Sequence, residues 1–195
     1  MAEVSRARYR AGSGEPVVLL HGFTATWRCW LPVLPDLVAR YDVFAPTLTG
    51  HDGGPPAEPD QEHSLKAAAA HVARQLDEAG IDTAHLVGNS MGGALALQLA
   101  KQGRARSVVG LSPAGGWEHG HPEGARIEKF FRRQLKITRA TQKNLEKTMK
   151  NPVARRLALR DIVRYGEQLA PSEAVAMALS SLECTVVEVV FAAVR

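Results

Sequence analysis

The residues with the clearest chemical potential are Gly88-Asn89-Ser90-Met91-Gly92, a serine with glycines two positions away on either side. The apolar run His85-Leu86-Val87 precedes them and an Ala/Leu-rich stretch follows. The pentapeptide therefore reads as a sharp turn from a buried strand into a helix. A turn that tight holds the serine in a strained backbone conformation with its hydroxyl exposed. Gly88, Gly92 and Gly93 leave room where side chains would collide with backbone. Ser90 also stands at the start of a helix, where unpaired N–H groups and the helix dipole favour developing negative charge. The chemistry indicated is attack by a hydroxyl on an electrophilic carbonyl, with formation of a covalent acyl-enzyme.

The neighbouring elements must place that turn. Pro16-Val17-Val18-Leu19-Leu20 and Tyr41-Asp42-Val43-Phe44-Ala45 read as buried strands, followed later by His85 to Val87 and Ser107 to Leu111. Between them come helical patterns. Trp27, Trp30, Leu31, Leu34 and Val38 recur at helical spacing, with Pro32 and Pro35 making the start irregular. Ser64 is placed to cap a helix running to about Glu78, which Gly80 stops, and Met91 to Lys101 forms another. The stretch from Thr49 to Pro59, dense in Gly and Pro, reads as an exposed loop. Strand and helix alternate, which calls for an α/β fold with a doubly wound, mostly parallel sheet covered on both faces. We therefore assign residues 1–114 to the core.

From about Gly115 the pattern turns wholly helical, and residues 115–195 read as a helical lid. Ile127, Phe130, Phe131 and Leu135 make one apolar face there; Val153, Leu157, Ile162 and Tyr165 make another. This region is basic: residues 126–164 hold 13 Lys or Arg against Glu128, Glu146 and Asp161, a local net of +10 in a chain of net +4. The charge could meet nucleic acid, a membrane surface, or an acidic substrate or carrier, but the cations lie between apolar helical positions as on a solvated face. No nucleic-acid or membrane partner is expected.

Several classes are excluded or disfavoured. The longest apolar stretch near the C-terminus, Cys184 to Val194, is interrupted by Glu188 and falls short of the roughly 20 residues that span a bilayer. Cys29 and Cys184 lack metal-ligand spacing and read as free thiols, so neither a disulfide framework nor a metal is expected. Arg6, Arg8 and Arg10 stand near the N-terminus with no apolar region of the kind a secretory signal carries, and the location expected is cytoplasmic.

With these residues in view, the chain resembles the α/β-hydrolase fold superfamily, in its lid-bearing serine branch, over essentially all its length. Beyond the serine turn, His21-Gly22-Phe23 after the strand Val17 to Leu20 is similar to that family's oxyanion-hole loop. By that resemblance the backbone N–H groups of Phe23 and Met91 would donate to the tetrahedral oxyanion. His21, Gly22, Gly88 and Gly92 would support the motif. Pro46 to Gly54 is similar to a structural strand-to-loop segment of the family, with Thr49 where an Arg is usual. The family's triad runs Ser, then Asp or Glu, then His. That order makes His21 a turn-fixing residue, and His51, His63, His71 and His85 also precede Ser90.

The resemblance implies a cofactor-free hydrolase acting on a small molecule through an acyl-Ser90 intermediate. An ester, thioester, amide or carbon–carbon bond beside a carbonyl is open to it, as is the perhydrolase reaction. A serine at the turn argues against the dehalogenase and epoxide hydrolase branches, which need a carboxylate there. The family also implies two more strands after the lid, followed by the catalytic Asp and His, and the chain reads as stopping before them. After Ser90 the histidines are His119 and His121, beside Glu118 and Glu123 in a Gly-rich loop. The alternative reading is a catalytically incomplete or ligand-binding homologue.

Overall fold

A computed structural model of the protein describes residues 2–57, 64–118 and 121–194. These form a six-stranded sheet in the order β1-β2-β4-β3-β5-β6. The strands are β1 (Glu3–Val4), β2 (Arg8–Ala11), β3 (Pro16–Leu20), β4 (Asp42–Pro46), β5 (Ala84–Asn89) and β6 (Ala105–Leu111). β4, β3, β5 and β6 are mutually parallel, as the alternation with helices requires, whereas β1 and β2 run antiparallel to β4.

The sequence reading missed the β1–β2 hairpin because Arg8-Tyr9-Arg10 carries no apolar run. Tertiary contacts stabilise it instead. The Arg10 guanidinium makes a bidentate pair with Asp42, at 3.1 and 2.7 Å, and donates to the Ala79 carbonyl at 2.6 Å.

Helices α2 (Leu65–Glu78) and α3 (Met91–Lys101) cover one face of the sheet. Val72, Leu76, Leu95 and Leu99 pack there on Val18, Leu20, Phe44 and Leu86. The Ser64 hydroxyl accepts the Ala67 N–H at 3.1 Å, and Gly80 ends α2 in the left-handed region at φ +70°. On the other face Trp27, Trp30 and Leu34 pack over Val17, Leu19, Val43 and Ala45.

That second layer departs from expectation in two ways. The helix anticipated from Trp27 to Val38 is split into a 3-10 turn, Trp27–Trp30, and a short α1, Leu34–Val38, because Pro32 and Pro35 supply no N–H. It also reaches only the β3–β4 side, so Val109 and Leu111 on β6 are 49% and 44% exposed.

The remaining helices are α4 (Pro122–Thr141), α5 (Leu145–Lys150), α6 (Pro152–Leu159), α7 (Pro171–Leu182) and α8 (Val187–Val194). The anticipated face of α4 is half-buried at Ile127, Phe130, Phe131 and Leu135. The other anticipated face is overturned: Val153, Leu157, Ile162 and Tyr165 are 65%, 59%, 56% and 49% exposed, and α6 buries Arg155 and Leu159 instead. The cause is a backbone demand that spacing does not show. The Arg155 guanidinium donates to the carbonyls of Met149, Gly166 and Glu167, closing the loop around α6. Among the described residues no helix is long and apolar enough to cross a membrane.

Candidate active site

Ser90 lies between β5 and α3 at φ +51°, ψ −115°, a region that L-residues rarely occupy. Its backbone is clamped on both sides. The Ser90 N–H donates to Leu111 O at 3.0 Å, and its carbonyl accepts the N–H groups of Gly93 and Ala114, each at 3.0 Å.

The glycines allow the packing that enforces this turn. A Cβ on Gly88 would lie 2.1 Å from Gly92 O, and one on Gly92 would lie 2.1 Å from Leu20 O. The turn is thus pressed against its own helix and against the end of β3.

The loop after β3 is equally close. A Cβ on Gly22 would stand 2.8 Å from Asn89 Oδ1 and 3.5 Å from Ser90 Cβ. Among the described residues, neither the Phe23 nor the Met91 N–H has a hydrogen-bond acceptor in this loop or turn. Both belong to segments that converge on Ser90, and the Met91 N–H opens α3, where the helix dipole adds to its pull on an anion.

His21 is fully buried. Its Nε2 accepts the Leu48 N–H at 2.9 Å, so Nδ1 carries the proton and donates to Gly22 O at 2.8 Å. Burial, reinforced by neighbouring His51, pushes its pKa down to about 3. His51 stands edge-on to the His21 ring at 5.0 Å, and burial pushes it down to about 4. Both rings are neutral near pH 7, and both nitrogens of His21 are committed to backbone.

The C-terminal helices roof this region. The Phe23 ring meets Phe131 of α4 at 5.0 Å and Phe191 of α8 at 5.4 Å, both nearly perpendicular, and Cys184 and Val186 join the cluster. Arg132 ties α4 to α8, reaching Glu188 with 2.7 and 2.6 Å bonds and Glu128 at 2.8 Å. The loop after β4 is held from the same side. Thr185 N–H donates to Gly50 O at 2.8 Å, and the Ser180 hydroxyl donates to Asp52 at 2.7 Å.

Among the described residues Ser90 Oγ makes no side-chain hydrogen bond, and no group of three or more His, Cys, Asp or Glu gathers as a metal site would require. His121 caps α4, its Nδ1 accepting the Glu123 N–H at 3.2 Å. His63 and His119 lie outside the described residues. Cavities of about 360 and 340 Å³ flank α2 and α1, and Ser90 lines neither.

The layered sheet and the serine turn are those of the α/β-hydrolase fold. Residues 17–190 match the model of the alpha/beta hydrolase family, and the chain belongs to that family. It is 56% identical over 59 residues to an epoxide hydrolase of Mycobacterium tuberculosis (strain H37Rv), 30% of this chain and 28% of that protein. It is 33% identical over 139 residues to 2-hydroxy-6-oxo-2,4-heptadienoate hydrolase of Pseudomonas putida (strain F1), 62% of this chain and 50% of that one. The chain thus spans half or less of these relatives' lengths. A solved 2-hydroxy-6-oxo-6-phenylhexa-2,4-dienoate hydrolase from Rhodococcus sp. strain RHA1 superposes with a TM-score of 0.70 at 23% identity, over all of this chain and 73% of that one.

Proposed function

We propose that this chain carries the nucleophilic half of a serine hydrolase that acts on a small molecule through an acyl-Ser90 intermediate. The observation that supports this most directly is Ser90 at φ +51° on a strand-to-helix turn, packed against Gly22 beside the Phe23 and Met91 amides, which among the described residues meet no acceptor in this loop or turn. In the reaction the Ser90 oxygen attacks the carbonyl carbon, and its proton passes to a general base. The oxyanion takes the Phe23 and Met91 N–H groups, each worth a factor of about 10² to 10³ in rate. Collapse expels the leaving group, which receives the proton, and water later releases the acid. No step needs a cofactor.

The His21 ring serves the backbone, so this reading assigns the general base to another group. The aromatic cluster around Phe23 favours an apolar acyl group. The name of the Pseudomonas putida relative, a 6-oxo-dienoate hydrolase, agrees with a scissile bond beside a carbonyl. Epoxide opening, named for the Mycobacterium tuberculosis relative, is the second reading, supported by 56% identity over a short segment. It is the weaker one here, since alkyl-ester formation needs a carboxylate at the turn and Ser90 supplies a hydroxyl.

The test is covalent labelling with a fluorophosphonate, with imidazole added as an external base. Ser90 is expected to take one adduct, faster as imidazole rises, and Ser90→Ala to take none. An unlabelled Ser90 at saturating imidazole would leave the ligand-binding reading in its place.

A further inference from the structure

We propose that the outward face of α6 and the turn after it dock on an anionic lipid bilayer. Val153, Leu157 and Ile162 would enter the headgroup layer, with arginines and lysines around them holding the acidic lipids. The starting point is the inversion of α6. Its aliphatic side chains at 153 and 157 share one helical face, and they point to solvent at 65% and 59% exposure, followed by Ile162 at 56% and Tyr165 at 49%. The opposite face is closed by Arg155 and Leu159 against the loop at Gly166. Helix α6 therefore has no need of its aliphatic face for its own packing, and clustered exposed apolar residues mark a contact surface.

The charge around that face identifies the partner. Residues 143–168 hold seven Lys or Arg against Glu146, Asp161 and Glu167, a net of +4; Arg155 is buried, Arg156 lies 3.2 Å from Glu167 and Arg160 3.7 Å from Asp161. Arg156, Arg160 and Arg164 alternate with the aliphatic residues, and Arg164 stacks on the Tyr165 ring at 5.3 Å. A second copy of this chain docking symmetrically would press a net positive face against its like, which disfavours self-association. Aliphatic tips within a cationic rim match the boundary between acyl chains and acidic headgroups. The surface lies on α6, not on α4 or α8, whose rings cover Phe23, and the proposal does not depend on the hydrolase reading.

Co-sedimentation of the full chain with vesicles tests it. One set is phosphatidylcholine alone; the other carries roughly a quarter phosphatidylserine. Binding is expected on the anionic vesicles, at least roughly tenfold above phosphatidylcholine, and should be lost when salt is raised to about 0.5 M. The triple variant Val153→Ser, Leu157→Ser, Ile162→Ser and the double variant Arg160→Gln, Arg164→Gln should each weaken it by roughly tenfold. Their helical circular dichroism and their melting should match the parent, because all five side chains are exposed.

The proposal is overturned by equal binding to both vesicle types, by no binding at low salt, or by variants that bind as the parent does. It is also overturned if the triple variant abolishes a concentration-dependent dimer in light scattering, or if the face retains polyglutamate but no vesicle.

Discussion

His21 and Leu48 are joined by a buried hydrogen bond, the Leu48 N–H donating to the imidazole Nε2 at 2.9 Å. Through it the loop carrying Gly22 and Phe23 is locked to the end of β4, and the other ring nitrogen fixes the Gly22 carbonyl. Replacing the ring would orphan a buried N–H and open a cavity. His21→Ala should therefore lower stability by about 3 kcal/mol, read as a shift of the urea midpoint, and slow fluorophosphonate labelling of Ser90.

The same ring sets a pH dependence. His21 and His51 are held neutral down to about pH 3 and about pH 4 in the folded protein, whereas an unfolded histidine protonates near 6.5. Below about pH 6.5 the unfolded chain binds protons that the folded chain refuses. The stability these two rings contribute is complete above that pH and is lost progressively as pH falls toward their folded values. Each adds up to about 1.4 kcal/mol of destabilisation per pH unit in that window. Unfolding monitored between pH 7 and 4.5 should show this slope, and His51→Asn should reduce it.

The glycines of the serine turn are not equivalent to others in the chain. Gly88→Ala and Gly92→Ala would each place a Cβ 2.1 Å from a backbone oxygen, and both are expected to cost more than about 3 kcal/mol or to leave the protein insoluble. Gly116→Ala meets nothing within 4 Å and should change the melting temperature little.

Strain at Ser90 should be recoverable as stability. Ser90→Gly removes the Cβ from a residue at φ +51° and is expected to raise stability by about 1 kcal/mol while abolishing labelling. A Ser90→Gly variant less stable than the parent by the ~1 kcal/mol that glycine's freedom in the unfolded chain costs would show that the turn stores no strain.

Arg132 bridges α4 and α8, its guanidinium 5.1 Å from the Phe191 ring that covers Phe23. Cys184, in the same cluster, is buried, and that burial pushes its thiol up to about 11. Arg132→Ala should loosen this closure and raise the rate of Cys184 alkylation by roughly fivefold, a modest factor for a partly exposed ion-pair network. Mass spectrometry of the alkylated peptide checks it.

Much of the fold was legible because its signals are local. The span of α2, its Ser64 cap and its Gly80 stop follow from apolar spacing and from residues suited to helix ends. The spans of α3 and the four parallel strands likewise follow from short apolar runs alternating with helical ones. The β1–β2 hairpin was not legible, since its stability comes from Asp42 and Ala79, more than thirty and nearly seventy residues from Arg10. The break in the Trp27 to Val38 segment is half visible in Pro32 and Pro35, but where the chain resumes a helix depends on the packing of Leu34.

The sequence alone determined the serine turn, because glycine spacing between a strand and a helix leaves few conformations open and these hold the hydroxyl at the head of α3. It determined the α/β layering for the same local reason. Tertiary structure alone decided which side chains the C-terminal helices bury. Periodicity identifies Val153 and Leu157 as one face, but not the three carbonyls that draw Arg155 inward and turn that face to solvent. Tertiary structure also decided that both ring nitrogens of His21 meet backbone groups. A histidine's role depends on what stands 3 Å from each nitrogen, and for His21 the deciding donor is the Leu48 N–H, from a segment remote in sequence.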